Sequence, residues 1–333
     1  GAALELAPAM FIIRLHYAMA LERAGESEQA ALHYFRASSD AHAQGRWLNA
    51  ETTAPALRPM VEHAIQMVRA TRKATFAKLL EPLRQKYGRD SLARVEQCLR
   101  VYFKEQAGVS ADPRQQPTFL YFPGLPPAAY LDRSLFPWLE SLEAHTDGIR
   151  QELLQLLPSE AGRERVFTTA AVEQQNLRGL QSPPSWNGYY FYRHGERRDD
   201  NCAACPVTAR ALESLPLSHV RDHGPEVLFS VFTAGTHLLP HRGVTNTRLV
   251  GHLPLLVPPD CALNVGGEVH EWQEGRAVVF DDTYEHEAWN RSDRTRVVLI
   301  FDIWNPHLTA AERAAIGQLV PAMGDFRKAA QAA

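Results

Sequence analysis

The hydrophobic pattern changes period partway along the chain. Up to about residue 110 the apolar positions recur at helical spacing, beginning with Leu4 to Ala20. Gly25, Ala30, Tyr34 and Ala37 follow at intervals of five, four and three, which suits two packed helices. Small residues let the backbones approach, and Tyr34 fills the groove between them. Two helices of a tetratricopeptide repeat look like this, with a period of about 34 residues, and so does a plain helical hairpin; no second clean copy follows. A long helix is predicted from about Ala56 to Lys86, then another through Gln106 with Asp90 as its N-cap.

Gly108 to Pro117 has the composition of a linker, so a helical, tetratricopeptide-like domain is assigned to residues 1–112 and a second domain to 113–333. After a helix near Pro137 to Leu157, the pattern becomes one of short runs rich in Val, Leu, Phe and Tyr. These are Gly188 to Tyr192, Val227 to Thr233, Thr247 to Val257, Ala262 to His270, Arg276 to Phe280 and Thr295 to Trp304. Turn signals such as Pro258-Pro259-Asp260, Gly266-Gly267 and Arg291-Ser292-Asp293 punctuate them. Many short strands without helices between them predict an antiparallel sandwich or barrel, so the fold class is α+β. From Leu308 the pattern returns to helix, with Thr309 as its cap.

Composition narrows the picture only slightly. The 45% hydrophobic content over 333 residues suits a globular protein, and the net charge of −3 gives no sign of nucleic-acid or anionic-membrane binding. No apolar run reaches the length of a membrane span. Four cysteines do not make a disulfide framework, which favours a reducing, cytoplasmic setting. The first residue is Gly rather than Met, so a longer natural N-terminus with a signal or anchor stays open. Cys202-Ala203-Ala204-Cys205-Pro206 has the spacing of half a zinc ribbon or of a redox pair, but no second pair exists. Pro206 suits the first turn of a helix, so structural packing is the favoured reading.

The chemistry concentrates between His241 and Arg296. A common non-haem Fe(II) site uses His, Asp or Glu, and His on one face of the metal. Here His241-Arg242-Gly243 offers the first histidine and glycine in the carboxylate's place, and Glu285-His286-Glu287 offers the distal histidine. Arg296 lies in the apolar run Val297-Val298-Leu299-Ile300-Phe301, where a guanidinium needs an anionic partner; the distal carboxylate of 2-oxoglutarate is one. A hairpin turn at Arg291 to Arg294 is expected to fold the Arg296 strand back beside that of His286. Gly243 either permits a tight turn or leaves a coordination position to water. Asp282 either holds that water or caps the turn between strands.

The ordered set Pro240-His241-Arg242-Gly243-Val244-Thr245-Asn246-Thr247-Arg248-Leu249, His252-Leu253, Phe280-Asp281-Asp282-Thr283-Tyr284-Glu285-His286-Glu287-Ala288-Trp289 and Asp302-Ile303-Trp304-Asn305-Pro306 resembles the aspartyl/asparaginyl β-hydroxylase family. The resemblance covers roughly residues 113 to 310 and is densest from 230 to 306. It implies a double-stranded β-helix (jelly roll) and an oxygenase dependent on Fe(II), 2-oxoglutarate and O2 that lacks the third carboxylate ligand. It also implies metal ligation by His241 and His286, and co-substrate binding by Arg296, Ser230 and His252. Asp282 would act in catalysis and Arg248 would reach the substrate's Asp or Asn side chain. Some members read R-x-R where this chain has Arg248-Leu249-Val250, which puts that substrate in question. A peptide or protein brought by the helical domain, or a small molecule, is the expected partner. Two rivals are a halogenase using the open position and a non-catalytic barrel beside a docking domain. The acidic residues Asp281, Asp282, Glu285 and Glu287 disfavour halide entry; Arg242 is the contrary sign.

Overall fold

The computed structural model describes residues 10–159, 162–167, 169–178 and 185–333. The chain forms two compact units, residues 1–89 with 318–333, and residues 90–317. In the first, α1 (Phe11–Arg23) and α2 (Ser27–Ala43) are joined through Gly25, whose φ of 86° lets the chain reverse. The predicted helix from Leu4 begins outside the described residues. Ala30, Tyr34 and Ala37 are buried with Leu15, Ala18, Val61 and Ala64, the last two on α3 (Arg58–Tyr87). The Tyr34 hydroxyl donates to Glu22 at 2.7 Å, so its polar tip is satisfied at the edge of that core.

The second unit opens with a 3-10 turn, Asp90–Leu92, and α4 (Ala93–Tyr102), which stops short of Gln106. The linker-like segment after it is not free. The Gln115 side chain donates to Asp281 at 2.6 Å, the Gln116 N–H to Thr283 O at 3.0 Å and the Thr118 N–H to Gly243 O at 3.0 Å. Its turn-forming residues serve a path laid against other loops of this unit, and the chain divides at residues 89 and 90. The helix expected near Pro137 to Leu157 is two, α5 (Leu139–Glu143) and α6 (Thr146–Leu156), and at the break the Thr146 hydroxyl donates to the Glu143 carbonyl at 2.6 Å. Further on come α7 (Ala170–Asn176), α8 (Asp199–Ala204) and α9 (Pro206–Glu213). Cys202 and Cys205 are free thiols buried in the core beneath these last two helices, where burial pushes Cys205 up to about 12. The final helix, α10 (Ala310–Ala332), starts with a capping box: Glu312 N–H to Thr309 Oγ, and Thr309 N–H to the Glu312 carboxylate.

The strands are β1 (Arg163–Arg165), β2 (Leu177–Arg178), β3 (Trp186–Arg193), β4 (Glu196–Arg197), β5 (Val227–Phe232) and β6 (His237–His241). They continue with β7 (Arg248–Leu256), β8 (Cys261–Val265), β9 (Glu268–Glu271), β10 (Val278–Phe280), β11 (His286–Asn290) and β12 (Arg296–Trp304). Two antiparallel sheets result, one ordered β1-β3-β5-β12-β7-β10 with β4 beside β3, the other β2-β6-β11-β8-β9. Counted from β5, the eight strands to β12 pair 1-8-3-6 in one sheet and 2-7-4-5 in the other, which is a jelly roll. The run Ala262 to His270 is a hairpin whose turn, Gly266-Gly267, has positive φ at both residues.

Both faces of the larger sheet are covered, which explains its unbroken apolar runs. Val297, Leu299, Phe301 and Ile303 pack under the helices with Val227, Phe229, Val231, Leu249 and Leu253. The alternate set from the same strands faces the smaller sheet. Arg291 to Arg294 is not the hairpin turn expected from the sequence. It carries the chain from one sheet to the other, because β11 pairs with β6 and β8 while β12 pairs with β5 and β7. His286 and Arg296 therefore face a common interior from opposite sheets.

Candidate active site

That interior holds a cavity of about 510 Å³. His241, at the end of β6, and His286, at the start of β11, are register partners on neighbouring strands, and their rings lie 4.0 Å apart between centroids. A bulge just after His286 ends the regular pairing there. Each ring is fixed by its own strand: His241 Nδ1 bonds Leu239 O at 2.8 Å and His286 Nδ1 bonds Tyr284 O at 3.1 Å. With Nδ1–H donating, both Nε2 atoms carry lone pairs. Burial lowers both rings' proton affinity; for His286, burial and then neighbouring His241 push the value down to about 3. Two adjacent neutral imidazoles with engaged Nδ1 atoms are suited to binding a divalent metal. Among the described residues no group of three His, Cys, Asp or Glu side chains converges as a metal site.

Gly243 and Asp282 explain one another. The Gly243 N–H donates to the Asp282 carbonyl at 2.6 Å, and a Cβ added at residue 243 would overlap the Asp282 carboxylate. Asp282 is buried, and one carboxylate oxygen, Oδ1, has no hydrogen-bond partner. The other accepts from Arg248 Nη2 at 3.2 Å. Burial outweighs the arginine and pushes the Asp282 carboxyl up to about 7. Arg248 in turn meets Asp302 at 2.6 Å. Burial opposes the Arg248 charge, but Asp302 and Asp282 prevail and hold it above its ordinary value.

Arg296 lines the same cavity, at the opposite end of β12 from Asp302, and is 1% exposed. Its guanidinium sits 3.8 Å from the Phe232 ring centroid and 4.7 Å from that of Trp272. Its polar contacts are long, 3.4 Å from Nη1 to the Ser230 hydroxyl and carbonyl, and Nε has none. No carboxylate lies within ion-pair distance of it among the described residues, and burial pushes it down to about 9. Ser230 is oriented by Trp186, whose Nε1–H donates to its hydroxyl at 2.9 Å. His252 lines the same cavity, its Nδ1 unpartnered and its basicity suppressed first by burial and then by Arg296. All the candidate residues, His241, His286, Asp282, Arg248, His252, Ser230 and Arg296, thus line one space.

Residues 143–306 match the sequence profile of the family described as aspartyl/asparaginyl beta-hydroxylase. The mouse aspartate beta-hydroxylase domain-containing protein 2 is 31% identical over 71% of this chain and 68% of its own length. This chain belongs to the aspartyl/asparaginyl β-hydroxylase family. The ornithine lipid ester-linked acyl 2-hydroxylase of Rhizobium tropici is 36% identical over 55% of this chain and 62% of its own. The human aspartyl/asparaginyl beta-hydroxylase is 33% identical over 53% and 22%. The chain therefore spans less than two thirds of either of those two relatives.

Against the family pattern, two further residues bear on the site. Asp302, part of the Asp302-Ile303-Trp304-Asn305-Pro306 motif, is the nearest carboxylate to Arg248. Its signal is phase, since residues 296, 298, 300 and 302 share one face of β12. Val250, where some β-hydroxylase family members carry a second arginine, points into the cavity beside Arg248. Register places it opposite Asp302, on the same face as His252.

Proposed function

We propose that this protein hydroxylates a C–H bond using Fe(II), 2-oxoglutarate and O2. His241 and His286 would hold the metal, and Arg296 would grip the distal carboxylate of 2-oxoglutarate. The observation that carries this reading is Arg296, a buried guanidinium without a carboxylate partner in the same cavity as a pair of neutral histidines. Burying a cation alone is costly, and a dicarboxylate co-substrate removes that cost.

A metal held by His241 and His286 would supply the O2 chemistry of the overall reaction, in which R–H, O2 and 2-oxoglutarate give R–OH, succinate and CO2. The chain's own residues orient and exclude. Ser230 steadies Arg296 and is itself held by Trp186. His252 presents an unpartnered Nδ1 for a polar end of the co-substrate. Asp282, with Oδ1 free to accept, would hold a water beside the histidine pair, and Arg248 keeps its carboxylate in place.

The substrate class offered by the family is an Asp or Asn residue in a peptide or protein, or a related small molecule. A tetratricopeptide-like hairpin in the helical unit would suit a protein partner. The Rhizobium relative bears the name of a lipid acyl hydroxylase, so an acyl substrate also lies within the family's range. A halogenase is disfavoured because Arg242, the cation that could draw a halide, is ion-paired with Glu285 at 3.1 Å. A non-catalytic barrel leaves the buried Arg296 unexplained. The test is succinate formation from 2-oxoglutarate under O2 with Fe(II) and a panel of peptide, amino-acid and lipid substrates. Substrate-dependent succinate supports the reading; none with any substrate contradicts it.

A further inference from the structure

The cavity's charges say what it can accept beside the co-substrate. Three arginines line it among the described residues. Arg193 is ion-paired with Glu164, and Arg248 is held between Asp302 and Asp282. Arg296 alone lacks a protein carboxylate, and the co-substrate reading already assigns it one. A substrate carboxylate entering next would find no unpaired arginine while facing Asp282 and Asp302. Desolvating an anion there without a partner is strongly unfavourable.

The walls point the same way. Along β12 the face that begins at Arg296 continues through Val298 and Ile300 to Asp302, with Ser230, Leu228 and the Glu226 end of β5 alongside. Tyr190, Leu228, Val250 and Ile300 give the cavity an apolar wall, the charges beside them are the mutually paired Arg248, Asp282 and Asp302, and Val244 is exposed at the rim. Val250 removes the second cation at the position where an arginine would have faced a substrate acid. The mouth, by contrast, carries exposed His194, Asp222 and His223, with Glu226 beside them. An apolar wall leading to a polar collar matches an aliphatic chain attached to a polar head.

We infer that the C–H bond oxidised here belongs to an uncharged acyl chain of an amphiphile whose polar head stays at the His194 and Asp222 rim. This rests on the hydroxylase reading and narrows it. The balance is that of the reaction above: R–H, O2 and 2-oxoglutarate give R–OH, succinate and CO2.

The test uses the whole chain. The probes are monomeric myristoyl lysophosphatidylcholine, a peptide carrying Asp, and the same peptide with Leu in its place. Binding is measured with Mn(II) and 2-oxoglutarate present, and turnover with Fe(II) under O2. The amphiphile should bind, raise succinate by about tenfold over the substrate-free rate and gain one oxygen atom on its chain, and the Asp peptide should do none of these; tenfold is the scale at which an apolar pocket discriminates. Val244→Glu, at a rim position where a charge can stay in water, should weaken amphiphile binding by about tenfold with no fall in Tm. Val250→Arg should weaken it further. Stimulation by either peptide but not by the amphiphile overturns the inference and leaves the hydroxylase reading standing. Absence of succinate in every arm contradicts the hydroxylase reading, and the binding arm then decides the inference alone: amphiphile binding lost in Val244→Glu upholds it, and no amphiphile binding by the unaltered protein overturns it.

Discussion

The Asp282 carboxylate stands where the side chain of residue 243 would begin, so Gly243 is the residue that admits it. The glycine is required by space; its φ is not among the positive ones. A carboxylate at residue 243 and the one from Asp282 compete for one volume. Gly243→Asp should therefore fail to complete a three-ligand site, and crowding should cost about 1–3 kcal/mol of stability. Adding Asp282→Ala should return most of that loss. Chemical denaturation of the single and double variants checks this, and equal stability of the two would mean that Asp282 moves aside freely.

Arg296→Ala should weaken 2-oxoglutarate binding by about 2–5 kcal/mol, the scale for truncating one partner of a buried charge pair. Metal affinity should survive, since Arg296 touches neither histidine. Without the co-substrate, Arg296→Met should not lower Tm, because a buried cation lacking a partner is replaced by a side chain that needs none. Calorimetric titration and melting curves give both readings, and an unchanged 2-oxoglutarate affinity would assign the anchor elsewhere.

Asp302, itself buried, pairs at 2.6 Å with the partly exposed Arg248, which has Asp282 on its other side. Asp302→Ala should destabilise by about 1–3 kcal/mol, since the charge-assisted contact is lost while Arg248 keeps Asp282 and some access to water. Arg248→Met in the same protein should restore a good part of it. A double-mutant cycle in urea measures the coupling, and additive losses would show that the two side chains act independently.

Turnover in excess chloride or bromide should add oxygen and no halogen. Arg242 is paired with Glu285 and is not free to draw an anion, while Asp282 and Glu287, the latter 2.8 Å from His237, offer a halide near His286 only carboxylates. Mass spectrometry of the product decides, and a halogenated product would replace the hydroxylase by a halogenase.

Much of the site was legible in the sequence because its residues sit at strand ends in a recognisable order. His241, His286 and Arg296 needed only their order and the apolar run around the arginine. The crossover at Arg291 to Arg294 was not legible, since a turn between two strand-like runs reads alike whether the strands pair or enter facing sheets. Asp302 was hidden for a related reason. With both faces of β12 buried, apolar residues fill both phases and the period-two signal that would single out its inward face is weak. The strand His237–His241 leaves little trace in the sequence because Pro240 and two histidines interrupt its apolar pattern. In the sequence Gly243 reads equally as a tight turn and as an open coordination position; the packed structure shows that the Asp282 carboxylate fills the space.

The most direct test of a two-histidine metal site joined to a 2-oxoglutarate anchor is anaerobic titration of the Fe(II)-loaded protein with 2-oxoglutarate. A weak visible charge-transfer band should grow to saturation, be absent in His286→Ala, and require far more 2-oxoglutarate in Arg296→Ala. No band in the folded, unaltered protein at saturating Fe(II) and 2-oxoglutarate would contradict the account.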